Sequence, residues 1–180
     1  MTERSTLDSI DHENRWRISA RILATLPLAY NWVFRDTLGD AYPHLESVIF
    51  KEVARDALNQ IEHFTSRPHT PEEMADALFT VTTILFGPSL QGRAVFHSEE
   101  TITVEINSCP LVMTAKSLKI EMERAFTVCN AYSRALVERL NPDFTIENRH
   151  AICLGRKTCE FVIGRPGTIE GEPAGLSPNE

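Results

Sequence analysis

All four cysteines of the chain fall between Asn107 and Ile163, where the hydrophobic period changes repeatedly. The stretch opens on the end of an alternating segment at Asn107-Ser108-Cys109-Pro110 and passes into a helical repeat carrying Cys129. It stops at Asn141-Pro142, then closes with alternating segments around Cys153-Leu154-Gly155 and Cys159-Glu160-Phe161-Val162-Ile163. Periods of two and of 3.6 residues bury different faces, so this reads as strand, helix, strand, tight turn, strand. A helix between two hairpins has a natural partner for its apolar stripe, the sheet the hairpins form.

The residues before this stretch read mainly as helices. From Asn14 to about Thr37, Trp16, Ile18, Ile22, Leu26, Tyr30 and Phe34 recur three or four apart, and Pro27 is expected to kink or split the helix. His44 to Phe64 is the cleanest amphipathic pattern. Leu45, Val48, Ile49, Val53, Ala57, Leu58, Ile61 and Phe64 share one face, with Glu46, Lys51, Arg55 and Gln60 opposite. A third helix starts at Thr70-Pro71, where Thr70 and Glu73 form a capping box. Two strands follow, Arg93–His97 and Thr101–Asn107, then one long helix from Pro110 to Leu140, a third strand Phe144–Cys153 and a fourth Cys159–Ile163. The expectation is an α+β domain over residues 14–164, in the order ααα-ββ-α-ββ. Helices pack on a four-stranded antiparallel sheet, and the long helix crosses between its hairpins. Residues 1–13 are expected as a flexible lead-in and 165–180 as a disordered, Pro- and Gly-rich tail.

At 180 residues the chain suffices for one domain with a substantial core. A net charge of -7, with Lys and Arg dispersed, excludes a nucleic-acid binder, which needs a basic surface. Its longest apolar stretch, Leu23 to Phe34, is interrupted by Thr25, Pro27 and Asn31 and is too short to span a bilayer, so no membrane partner is expected. The N-terminus is polar, which leads us to expect a cytoplasmic protein whose cysteines are thiols or metal ligands.

The motif Cys153-Leu154-Gly155-x-x-x-Cys159-x-Phe161-x-Ile163 resembles the end of the four-vinyl-reductase (hydrocarbon-binding) domain family, and Cys109-Pro110, Cys129 and Asn141-Pro142 resemble the related amino-thiazoline carboxylate hydrolase-like proteins. The resemblance covers roughly residues 90–164, with Gly155-Arg156 where the family has Gly-Asp. It implies a fold shared with trafficking-particle subunits and phenol-sensing domains, often as a homodimer. It also implies a zinc site, as in the phenol sensors. Cys129 and Cys159 match its first and last ligand positions, and Cys153 and His150 are substitutes for the middle pair, which fall near Asn148 and Ala151.

Strand alternation puts Asn148 and His150 on one face of the third strand, and Cys159 and Phe161 on one face of the fourth. If both face the crossing helix, Asn148 and His150 are the polar groups of an apolar pocket whose other walls are Phe96, Met122, Phe126 and Phe161. Cys129 and Cys159 then lie close together inside, as small core hydrophobes or as ligands of zinc or another borderline-soft ion. Cys109, where a strand yields to a helix, is the candidate catalytic nucleophile, because a helix N-terminus lowers a thiol pKa. The leading expectation is a sensor or accessory protein that binds a small apolar or heterocyclic ligand. The alternatives are a cysteine- or metal-dependent hydrolase of a small heterocyclic or amide substrate, and a protein-interaction module. A homodimer through the N-terminal helices is expected, because Trp16 to Phe34 holds more apolar surface than one helix buries.

Overall fold

A computed structural model describes residues 9–61, 66–96 and 98–169, leaving aside the side chains of Ile61 and Phe96. It contains helices α1 (His12–Leu38), α2 (Tyr42–Ile61) and α3 (Pro71–Phe86), strands β1 (Gln91–Phe96) and β2 (Thr101–Ser108), helices α4 (Pro110–Leu118) and α5 (Met122–Leu140), and strands β3 (Thr145–His150) and β4 (Cys159–Gly164). The α+β architecture is the one the periods predict. The expected lead-in and tail fall largely on residues outside the described ones; α1 begins at His12.

The sheet has the order β1-β2-β4-β3 and every neighbouring pair is antiparallel. Its inner face is set by register, since Ile102, Val104 and Ile106 stand opposite Ile163, Phe161 and Cys159, and Ile146 and Asn148 stand opposite Ile163 and Phe161. This face joins Val81, Val128, Tyr132 and Leu136, from α3 and α5, in one contiguous core.

Three local features depart from the sequence reading. The expected crossing helix is two helices. Lys119 takes the left-handed conformation (φ 57°), its amide bonds Lys116, and the Ile120 amide reaches back to Ala115 at 2.9 Å. That pairing is a Schellman ending, closed by the burial of Ile120, but with lysine where glycine is usual it carried no sequence signal. Helix α1 runs unbroken through Pro27, and the carbonyl that loses its amide partner belongs to Leu23 on the exposed side of the helix.

The third departure is the orientation of α2. Its apolar stripe (Leu45, Val48, Ile49, Val53) is exposed, while Tyr42, Glu46, Phe50 and Ala54 face inward. Helix α1 behaves alike. It packs on the domain through Ala20, Ala24, Leu28 and Asn31, and leaves Ile22 and Trp32 57% and 58% exposed. Close packing of α1 also explains Gly87 (φ 90°), where an added Cβ would sit 2.9 Å from the Ala20 Cβ.

Candidate functional site

Between α3, α5 and the sheet lies a small apolar cavity of about 50 Å³. Its walls include Leu78, Val104, Ile106, Phe161 and three of the four cysteines, Cys109, Cys129 and Cys159. Each thiol arrives by a separate local rule. Cys109 precedes Pro110, the first residue of α4, so its extended backbone ends β2 and starts the helix. Cys129 sits three residues before Tyr132, on the half of α5 that faces the sheet. Cys159 begins β4 opposite Ile106, and its Sγ accepts a hydrogen bond from the Ile152 amide at 3.3 Å. Cys153 is buried in a 3-10 turn, Ile152–Leu154, which Gly155 closes at φ 82°.

Burial decides the state of these thiols. It raises Cys129 well above the ordinary thiol value, with Cys109, Cys159 and Cys153 adding repulsion. Burial pushes Cys153 up to about 12, helped by Cys159 and Cys109, and Cys159 up to about 11. At Cys109 the amides of Val112 and Leu111 pull downward, as a helix N-terminus should, but desolvation outweighs them and the net direction is up. All four are free thiols, held neutral at physiological pH.

The expected polar lining is not assembled. His150 is exposed, because the β3–β4 register shifts between Asn148 and His150, and the extra residue turns His150 off the inner face. Asn148 is buried on the inner face with Oδ1 lacking a hydrogen-bond partner, yet it does not line the cavity. Phe161 lines it; Phe126 is buried on another side of α5, among α1 and α2 residues, and Met122 packs at the edge of the core. Phe96 ends β1 and its side chain lies outside the described residues. With His150 outside, Cys129, Cys153 and Cys159 keep no histidine to complete a ligand set. Among the described residues no group of three or more His, Cys, Asp or Glu is placed to hold a metal ion. The residues present therefore do not fit the zinc site that the resemblance implied.

Solved structures share this architecture. The crystal structure of a trafficking protein particle complex subunit 3 from Naegleria fowleri, described as covalently bound to palmitic acid, superposes with a TM-score of 0.58 at 12% identity. The match covers 86% of this chain and 99% of that one. At that identity the likeness is one of fold. No family model and no curated protein matches the chain.

Sequence reasoning missed Tyr132, Ser133 and Thr82 in the cavity wall. The Tyr132 hydroxyl donates to Thr82 Oγ1 at 3.2 Å, and Thr82 donates to the Leu78 carbonyl at 2.6 Å. A signal existed for Tyr132, which lies three residues after Cys129. Also unforeseen is a buried polar pair between α1 and α2. Asn31 Nδ2 donates to Glu46 Oε1 at 2.9 Å, and burial raises the Glu46 carboxyl above its usual range despite Asn31, Arg35 and Tyr42. No described helix is long and apolar enough to cross a membrane.

Proposed function

We propose that this domain is a sensor or accessory protein of the hydrocarbon-binding kind, which takes a small apolar or heterocyclic molecule into the cavity between α3, α5 and the sheet. The observation that carries the reading is the small apolar void with three neutral thiols in its wall. An apolar void forfeits dispersion contacts and stays dry, so its natural guest is apolar. The polar groups in the wall are already engaged, Thr82 with Leu78 and Ser133 with Cys129, so none requires water. A subunit of the same fold is described as covalently bound to palmitic acid, and an apolar guest is the reading carried from it to this chain. Four free thiols also suit the reducing cytoplasm.

The test is a thermal unfolding series under rising xenon pressure, since xenon is an apolar guest that a void of about 50 Å³ can hold. A ligand that binds only the folded state raises the midpoint with concentration. Xenon should raise it for the native chain and not for Cys129→Phe, which fills the void. No rise for either protein contradicts the reading. A hydrolytic role for Cys109 gains nothing from that thiol's surroundings, since burial keeps it protonated.

The exposed apolar face of α1 and α2 supports a second part of the proposal, that two copies associate through it. Ile18, Ile22, Tyr30, Trp32, Val33 and Phe34 of α1 continue into Leu45, Val48 and Ile49 of α2. Contiguous apolar patches of this kind mark association surfaces. Sedimentation equilibrium should give a dimer that Ile22→Glu converts to monomer; a monomeric native chain at micromolar concentration contradicts it.

A further inference from the structure

Between α2 and α5 lies a surface cleft of about 800 Å³. Lys51 and Arg55 of α2, Arg139 of α5 and Arg67 from the segment before α3 line it, together with two acids, Glu52 and Glu138. Both acids are already engaged, Glu52 with Arg55 and Glu138 with Lys51 at 3.0 Å. Two guanidinium groups are left without a counter-charge. Arg139 is in no ion pair among the described residues, and Arg67 meets a neutral group, donating to Asn141 Oδ1 at 3.0 Å. Asn141 is itself buried and donates to the Pro68 carbonyl at 2.8 Å, so Arg67 is held at the cleft. In a chain of net charge -7, a cleft with an excess of cations is a site for something acidic.

The chain itself supplies an occupant. Residues 170–180, beyond the described ones, carry Glu170, Glu172 and Glu180 and no Lys or Arg. The strand that leads into them ends near the cleft. Gly164, the last residue of β4, pairs with Thr145, three residues after Pro142 in the cleft wall. The Arg165 guanidinium lies 5.2 Å from the centre of the Phe144 ring, which holds the chain against the same loop. Thr168 then turns back, its amide bonding the Arg165 carbonyl at 3.1 Å. Neighbouring strands are about 5 Å apart and three residues span at most about 11 Å, so Gly164 is roughly 16 Å or less from Pro142. The stretch 170–180, extended, reaches about 36 Å, enough to enter the cleft.

We propose that the cleft between α2 and α5 is an acidic-peptide site which residues 170–180 of the same chain fill, with their glutamates on Arg67 and Arg139 and Leu176 against Leu58 and Leu140. Exposed ion pairs are each worth little. A tether changes the balance, because a short linker holds its far end at a millimolar effective concentration. Contact of this kind weakens with salt, which screens exposed charges. It makes no use of the apolar void or of the thiols.

The experiment is paramagnetic relaxation in the full chain with a nitroxide attached at Ser177→Cys. Burial keeps the native thiols protonated, so the reagent takes the added one first, and the native chain treated alike is the blank. At low salt the amide signals of Arg55, Glu138 and Arg139 should weaken about twofold or more, and recover when the nitroxide is reduced. About 0.5 M NaCl should restore them. So should Arg67→Glu combined with Arg139→Glu, or Glu170→Gln, Glu172→Gln and Glu180→Gln together. No weakening at low salt overturns the docking. Weakening that survives salt and both sets of substitutions overturns the charge pairing. Equal weakening in an unlabelled, nitrogen-15 chain mixed with the nitroxide-labelled chain shows the tail of a second copy in the cleft, and overturns its filling by the same chain.

Discussion

Two parts of this molecule are built from similar apolar side chains and use them in opposite ways. Around the sheet, α3 and α5 turn Val81, Val128 and Leu136 fully inward against Ile163 of β4, and the core closes on a small void. At the outer layer, α1 and α2 contribute Ala20, Ala24, Leu28, Phe50 and Ala54 to the interior while Ile22, Trp32, Val33, Val48 and Ile49 face out. Hydrophobic burial is non-directional, so composition alone does not separate the two cases. What separates them is how much apolar surface each helix carries beyond the face it turns inward. Helix α1 reaches the core through Ala20, Ala24 and Leu28 and α2 through Tyr42, Phe50 and Ala54, and the further large side chains are left for another surface. An amphipathic pattern thus reports that a face is to be covered, without saying by which body.

The sharpest way to break this comparison is to cut equally large side chains from each region. Leu136→Ala should cost about 2–5 kcal/mol in urea unfolding, from lost burial plus the cavity left behind. A cost under about 1 kcal/mol would mean that the interior is no better packed than the outer face. Cys129→Ser places a hydroxyl among apolar walls and should cost about 1–3 kcal/mol. The outer face should respond differently. Val33→Ser, measured on dilute monomer, should fall within about 0.5 kcal/mol of the native chain, as surface changes do. A larger loss there would show that the monomer itself depends on that face.

The titrating groups sharpen the contrast through the sign of their pH dependence. The folded pKa of Cys159, about 11, lies above the unfolded value of 9.0. Its contribution is fully present below about pH 9 and lost as pH rises through 11, so unfolding free energy should drop across that window. Cys159→Ala should flatten the drop. Glu46 gives the smallest effect. Its carboxyl is also raised by burial, so stability is lost as pH climbs from the unfolded carboxylate value through the folded one. Glu46→Gln, neutral throughout, should be at least as stable as the native chain at pH 7, and a clear loss would show that the charge itself is needed.

Much of the fold was legible in the sequence because its signals are local. The switch from period 3.6 to period 2 located the strands, and the Thr70–Glu73 capping box is present with both of its bonds. The convergence of Cys129 and Cys159 on one cavity followed from two periodic faces that had to meet. What was not legible depends on non-local geometry. The bulge that expels His150 is a mismatch between two strands and leaves no mark on either alone. The break at Lys119 uses a left-handed residue with a side chain. Nor did a charged residue announce that Glu46, not Leu45, faces inward; Asn31, fifteen residues earlier, supplies the partner that makes this tolerable.

The central claim is that the void beside the thiols receives apolar guests, and xenon tests it without assuming a ligand. Apolar cavities of this kind take up xenon where polar, hydrated ones do not. Diffraction from crystals under xenon pressure should show an atom bounded by Cys109, Cys129, Cys159 and Phe161, and none in crystals of Cys129→Phe. An empty or water-filled cavity in the native protein under the same pressure would contradict the account.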